Sequence, residues 1–417
     1  MIGNGDLRHG DRLPTVRALA DELAVSSSTV ADAWKVLQHH GLIETARRNG
    51  TVVRAARTEM TGRYWRVPAT AGSAVLDLST GTPDTDLLPT MDTVLAGLHT
   101  EIAITSYIDR PVLTELEHVL RARWPFEPDA MTVVDGCLDA LDRLISALVR
   151  FGDTVVVEDP TFPPILDMLE RVGARVIGVP LDEHGVDLDA LASSLDERPT
   201  VAMLQPSAHN PTGRSMSSER AAAVAALFAE RSPDTWIIED HHAGDLIRDA
   251  TTLGVHLPER VVRIHSFSKS HGPDLRIAAV GGAAEPIALV VDRRRLGPSW
   301  TSRLVQTILL TLLSDPLVDE LVEQAVDVYA ERRRTICDGL ASHGIAVHPA
   351  AGFNLWIPVA NEQRAVLALA LDGIGVAPGA PFRLATDRTS DHLRVSIGNA
   401  RSDLEPIIAS IATAASA

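Results

Sequence analysis

From Val75 onward, short β-branched runs alternate with amphipathic helical segments, and this alternation restricts the fold more than any other property of the chain. The runs are Thr154–Glu158, Arg175–Val179, Val201–Gln205, Trp236–Glu239 and Val261–Ser266. Parallel strands need a crossover between them, so strand and helix in alternation predict a mostly parallel sheet wrapped by helices. In such sheets ligands sit outside the carboxyl ends of the strands. The polar motifs of this chain fall at those ends.

The head of the chain follows another pattern. Pro14 stands near N1 of a helix running to Leu23, and Ala24-Val25 makes a short turn. Ser26 caps a second helix to about His40, whose apolar face is Val30, Ala33, Trp34 and Leu37, and Gly41 stops it. Leu42–Thr45 and Thr51–Val53 alternate around Arg47-Arg48-Asn49-Gly50, a two-stranded wing with an Asn-Gly turn. Residues 1–66 hold 10 Lys+Arg against 7 Asp+Glu, and the remainder 28 against 48. A slightly basic head on an acidic body fits a small nucleic-acid module fused to a larger domain. The domains read as 1–54 for the DNA-binding module, 55–74 for a linker containing Pro68, and 75–417 for an α/β body with a smaller C-terminal subdomain.

No window approaches the apolar length of a membrane span, and Met1–Gly10 is too polar for a signal peptide. Cys137 and Cys337 are too few for a disulfide framework, so a reduced, cytoplasmic setting is expected. Lysine usage is sharper. Lys35 and Lys269 are the only lysines among 38 basic residues. Arginine replaces lysine wherever charge alone is needed, but its guanidinium forms no Schiff base. A surviving lysine is therefore a candidate for amine chemistry.

Pyridoxal phosphate needs an amine, a carboxylate for its ring nitrogen, an anion cradle and a face for its ring. Lys269 follows a strand in "HSFSKSHGPDLR", with Ser266 and Ser268 as hydroxyl donors and Arg276 as a fork for phosphate. Glu239 and Asp240 compete for the ring nitrogen at the end of "WIIEDHH", and strand alternation sends only one toward the site. In "VVDGCLDALDRLI", Gly136 permits a close turn and the amides of Cys137 and Leu138 open a helix toward an anion. Phe162 in "EDPTFPP" offers a ring face. No metal site is expected.

These motifs resemble the fold-type I pyridoxal-phosphate enzymes over roughly residues 75–410. The resemblance assigns Lys269 to the cofactor, favours Asp240 for the ring nitrogen and implies that Asn210, in "HNPTG", bonds the ring oxygen. It places His242 where relatives carry a tyrosine on the ring hydroxyl, a bond imidazole can also donate. It implies that Arg394 in "DHLRVSIGN" holds a substrate carboxylate and that Gly81 lies in the loop closing on substrate. Tyr107 corresponds to the tyrosine that reaches the neighbouring subunit's phosphate.

The head resembles the GntR-type winged helix through its Leu-Pro-x-x-Arg opening, its Ser-x-x-Thr-Val helix start and its Gly-Thr wing. That family places one more helix ahead of the segment where this chain starts, so a first helix is expected to be missing or to lie upstream. A GntR-type module followed by a fold-type I domain resembles the MocR-like transcription regulators. The resemblance implies a homodimer on double-stranded DNA, with Arg17, Ser26, Ser27, Ser28, Thr29, Arg47 and Arg48 at the DNA. It implies that the chain senses pyridoxal 5′-phosphate, or an amine or amino acid that forms an external aldimine in place of Lys269. The alternative reading is an amino-acid aminotransferase with a vestigial DNA-binding module.

Overall fold

The computed structural model describes residues 11–39, 43–46, 50–53, 62–64, 75–96, 106, 108–348, 351–384, 390–401 and 403–416. The chain forms two compact units, Met1–Gly62 and Arg63–Ala417.

In the smaller unit, α1 (Val16–Leu23) begins after Thr15, whose hydroxyl accepts from the Ala18 amide at 3.2 Å. Thr15 is thus the N-cap and Pro14 lies outside the helix, a correction to the expected start: a hydroxyl on an orphan amide defines the first turn better than a ring with a fixed φ. In α2 (Ser27–His39), the Ser26 hydroxyl accepts from the Thr29 amide at 3.0 Å. β1 (Ile43–Ala46) pairs antiparallel with β2 (Gly50–Val53), Ile43 opposite Val53 and Ala46 opposite Gly50. The segment before α1 adds a bridge, with Leu13 and Val53 amides donating to Thr51 and Asp11 carbonyls. Ala20, Val30, Trp34 and Ile43 form the core, with Leu13, Val16, Leu19 and Leu37 around it. Ala33, expected in that face, is exposed, because the face centres on Val30, Trp34 and Leu37 at helical spacing. Gly41 and the turn residues 47–49 lie outside the described residues.

In the larger unit the two-residue β3 (Leu76–Asp77) precedes the main sheet. Among the described residues that sheet has eight strands: β4 (Ala130–Val134), β5 (Thr154–Asp159), β6 (Arg175–Asp182), β7 (Gly185–Val186), β8 (Val201–Leu204), β9 (Trp236–His241), β10 (Val261–Ser266) and β11 (Ala278–Gly282). They lie in the order β4-β11-β10-β9-β8-β5-β6-β7, with β6, β5, β8, β9 and β10 mutually parallel and β11 antiparallel to both neighbours. Both faces are covered. Val155 and Val157 pack with the helices Cys137–Leu148 and Pro163–Val172, while Val156 points the other way toward Leu188–Leu195 and Ser218–Arg231. This two-sided burial is why the strands read as unbroken apolar runs.

The C-terminal part carries β12 (Asn354–Val359), β13 (Ile374–Gly375), β14 (Ala377–Pro378) and β15 (Asp391–Ser396). β12, β15 and β14 form an antiparallel sheet, and β13 pairs in parallel with β3. The Ser396 amide also donates to the Leu78 carbonyl at 2.8 Å, so the chain entering residue 79 is stitched to this part. No helix among the described residues is long and apolar enough to cross a membrane.

Candidate functional site

The loops after β4, β5, β8, β9 and β10 all leave the sheet at its carboxyl end, where a parallel sheet collects ligand-binding groups. Lys269 follows β10, and its Nζ donates to the Gly81 carbonyl at 2.5 Å. Burial, aided by the cations Arg394 and Arg276 and opposed by Cys137, lowers its ammonium to about 8. The Phe353 ring centroid lies 5.6 Å from Nζ.

Glu239 and Asp240 are both buried but serve opposite faces of β9. Glu239 accepts from Thr252 Oγ1 (2.5 Å) and the Leu253 amide (2.6 Å), with Arg263 Nη1 at 3.6 Å. Its charge is absorbed within the fold. Asp240 Oδ2 accepts from Gln205 Nε2 at 2.7 Å, while its buried Oδ1 has no partner among the described residues. Burial raises the Asp240 pKa, against the pull of His242 and the Gln205 hydrogen bond. Gln205 Oε1 also accepts from the Asn210 amide at 2.8 Å, and Asn210 Oδ1 is a second buried atom without a partner among the described residues. A native fold rarely leaves such atoms unmet, so two together mark a place for polar groups of a ligand.

One ring nitrogen of His242 is taken up by the backbone. Its Nε2 lies 2.9 Å from the Ala208 carbonyl, which only accepts, so Nε2 carries the proton. Burial lowers its pKa, with Asp240 opposing. With Nε2 on the Ala208 carbonyl, Nδ1 is the ring nitrogen left for any further contact.

Gly136 caps the helix Cys137–Leu148 at φ 101°, and a Cβ there would stand 3.3 Å from Arg276 Nη2. The first turn closes from the Ala140 amide to the Gly136 carbonyl at 3.1 Å, which leaves the Cys137 and Leu138 amides ahead of it as anion donors. Arg276 is exposed, and its side chain makes no hydrogen bond or ion pair among the described residues. Ser266 Oγ accepts from the Ser268 amide at 3.3 Å and bonds the Cys137 thiol, whose pKa burial and then Asp240 drive up. Asp135, a poor neighbour for an anion, is turned aside. Arg294, buried, holds it at 3.0 Å and Thr301 Oγ1 donates to it at 2.7 Å.

Arg394, on β15, is buried. Its Nη2 donates to the Ser79 carbonyl, its Nε has no partner among the described residues, and Gly81 lies against its Nη1. Burial lowers its pKa, offset by Tyr64 and Asp77. Phe162, part-buried at the start of the helix Pro163–Val172, meets the Tyr64 ring edge-on at 5.9 Å between centroids.

In the smaller unit Arg17, Ser27, Ser28 and Thr29 are exposed, whereas the Ser26 hydroxyl is taken up by Thr29 and by Ser28 Oγ at 2.7 Å. Tyr107, Arg47 and Arg48 lie outside the described residues. Three residues of the larger site escaped the sequence reading. Gln205 stood as the last residue of a strand, Arg294 lay in a remote helix, and Tyr64 fell in the linker, where only the scarcity of tyrosine, 3 in the chain, hinted at it.

Residues 73–411 match the family Aminotransferase class I and II, and residues 1–53 match Bacterial regulatory proteins, gntR family. The chain is 34% identical over 400 residues to the vitamin B6 salvage pathway transcriptional repressor PtsJ of Salmonella typhimurium, covering 94% of this chain and 90% of that one. It is 26% identical to the HTH-type transcriptional regulator TauR of Rhodobacter capsulatus, covering 91% and 87%. Among solved structures, an archaeal alanine:glyoxylate aminotransferase superposes with a TM-score of 0.74 at 23% identity, covering 83% of this chain and 91% of that chain. Pyrococcus horikoshii kynurenine aminotransferase gives 0.73 at 20% identity, covering 83% and 91%. These two share the fold.

Proposed function

This chain belongs to the aminotransferase class I and II family and carries a gntR-family regulatory module at its head, the combination of the MocR-like regulators; on that premise we propose that it regulates transcription by sensing pyridoxal phosphate, or an amino compound reacting with it, at Lys269. One observation carries the reading. A single amine of depressed pKa shares its pocket with Asp240, whose buried Oδ1 meets no partner among the described residues.

The residues fit the cofactor. Asp240 would hold the protonated ring nitrogen through Oδ1, and the Asn210 side-chain amide would donate to the ring oxygen. The amides of Cys137 and Leu138, with Gly136, Arg276, Ser266 and Ser268, would cradle the phosphate, and Phe162 would lie on the ring. Bound there, pyridoxal phosphate supplies an aldehyde for amine capture and an electron-withdrawing ring. Lys269 gives up its proton near neutral pH, which frees the Nζ lone pair. Arg394 orients a carboxylate-bearing effector, and Gly81 closes over it. Arg17 and the exposed start of α2 meet DNA, in a cytoplasmic homodimer.

Lys269 at about 8 can also accept and return a proton at neutral pH, which favours aminotransferase turnover as the second reading. The test is an absorbance titration of the full chain with pyridoxal phosphate, then with amines and amino acids. Binding to its own promoter fragment is measured in parallel at stated salt. A visible band lost in Lys269→Ala, together with cofactor-dependent DNA affinity, is expected. Multiple turnovers per site with an amino donor and a keto acceptor would instead establish an enzyme.

A further inference from the structure

The parallel pairing of β5 with β8 ends at Val157 opposite Met203. Just beyond it the Gln205 amide leaves the ladder and donates to Glu158 Oε2 at 2.7 Å. The side chain of the same Gln205 donates to Asp240 Oδ2 and accepts from the Asn210 amide. Glu158 thus holds the main chain of the residue whose side chain sets two groups of the pocket. Three buried carboxyls lie at the carboxyl ends of β5 and β9, and each is balanced differently. Glu239 has Arg263 beside it, and Asp240 keeps Oδ1 open to the pocket. Glu158, 2% exposed, has no arginine or lysine within ion-pair distance among the described residues. The titratable groups facing it are His209, whose Nε2 lies 3.5 Å from Oε2, and Asp240 and Glu239 on β9, which both oppose its ionisation. His209 supplies no compensating charge, because burial, with His242 and Arg214 nearby, lowers its imidazolium to about 3.

We infer that Glu158 is a positioning residue of the cofactor site, a buried carboxyl that acts as the neutral acid and seats the Gln205 amide against Asp240 and Asn210. This rests on the sensing function proposed above. A buried carboxylate with no cation beside it takes up a proton rather than bear the cost of desolvation. Burial accordingly pushes the Glu158 carboxyl up to about 8. The acid still keeps a carbonyl oxygen for the Gln205 amide. Its neutrality leaves Asp240 as the anion that a protonated ring nitrogen meets. A charged Glu158 would set a second anion behind Asp240 and drive that carboxylate toward protonation.

The experiment uses the full chain. Infrared difference spectra from about pH 6 to about pH 10 read the protonated carboxyl directly. Absorbance titration of wild type, Glu158→Leu and Glu158→Gln with pyridoxal phosphate reads cofactor affinity. A protonated-carboxyl band that fades through about pH 8 in wild type and is missing from Glu158→Gln is expected. Glu158→Leu leaves the Gln205 amide without its acceptor and should bind the cofactor about tenfold more weakly, the factor for one hydrogen bond to a charged group. Glu158→Gln is the conservative rescue: with a carbonyl oxygen and no charge, it should restore affinity to within about twofold of wild type. Binding by Glu158→Gln as weak as that of Glu158→Leu makes the charge essential and overturns the inference. So does a wild-type spectrum without the band, or Glu158→Leu binding as wild type does. If Glu158→Leu does not fold, Glu158→Gln and the infrared band decide alone. A wild-type chain that shows no visible band with pyridoxal phosphate removes the sensing function, and the role of Glu158 with it, whatever the infrared spectrum holds.

Discussion

Raising the pH from about 6 to about 10 at fixed pyridoxal phosphate should accelerate its capture along one titration curve, because only the neutral amine attacks the aldehyde. The curve is centred where Lys269 loses its proton, at about 8 rather than the ordinary 10.5. The sign follows from the cause: burial and the neighbouring arginines disfavour the ammonium, so the neutral form is gained at lower pH. At pH 7 roughly 9% of chains carry a neutral Lys269, against roughly 0.03% for an unperturbed lysine, a gain of about 300-fold in reactive amine. Stopped-flow absorbance at the visible band measures the rate, with Lys269→Ala as the blank. Arg394→Gln removes the cation that, after burial, most disfavours the Lys269 ammonium, so its curve should move toward higher pH and its rate at pH 7 should fall. An inflection in the ordinary lysine range, or an Arg394→Gln curve that superposes on wild type, would refute the electrostatic reasoning.

Gly136→Ala should cost about 1–3 kcal/mol in urea unfolding, the scale of backbone strain at a glycine-only φ, and should weaken cofactor binding by pressing on Arg276. Gln205→Leu strips partners from Asp240 Oδ2 and the Asn210 amide at once. Unfolding free energy should drop by about 3 kcal/mol, near the penalty for orphaned buried groups, and equilibrium dialysis should show weaker cofactor binding. Arg17→Ala should lower promoter affinity and flatten the log–log salt slope by about 0.9 if the guanidinium meets a phosphate; anisotropy over a salt series reads both.

The main sheet was legible because its strands are buried on both faces, which writes them as short apolar runs at regular spacing. Their ends were less so. Trp236–Glu239 runs on to His241 because β9 keeps register with β10 as far as His265, a constraint that lies in another strand. The site was most legible at Lys269, where one residue type has one chemistry, whereas Glu239 and Asp240, two carboxylates side by side, could be ranked only by the family resemblance. It was opaque where identity says little and geometry everything. Gln205 clamps Asp240 and Asn210 with one amide, and nothing in a lone glutamine forecasts that. The Ala208-bonded orientation of His242 depends on a carbonyl 34 residues away in sequence. The turning aside of Asp135 needs Arg294, 159 residues downstream.

The pairing of β3 with β13, with the Ser396 amide on Leu78, has a consequence for the two ends of the pocket. It makes the Ser79–Gly81 loop and Arg394 one piece, geared to the C-terminal sheet, whereas Lys269 belongs to the main sheet. The carboxylate end of the proposed pocket is thus carried by the C-terminal sheet and the amine end by the main sheet, joined by the bond from Lys269 Nζ to the Gly81 carbonyl.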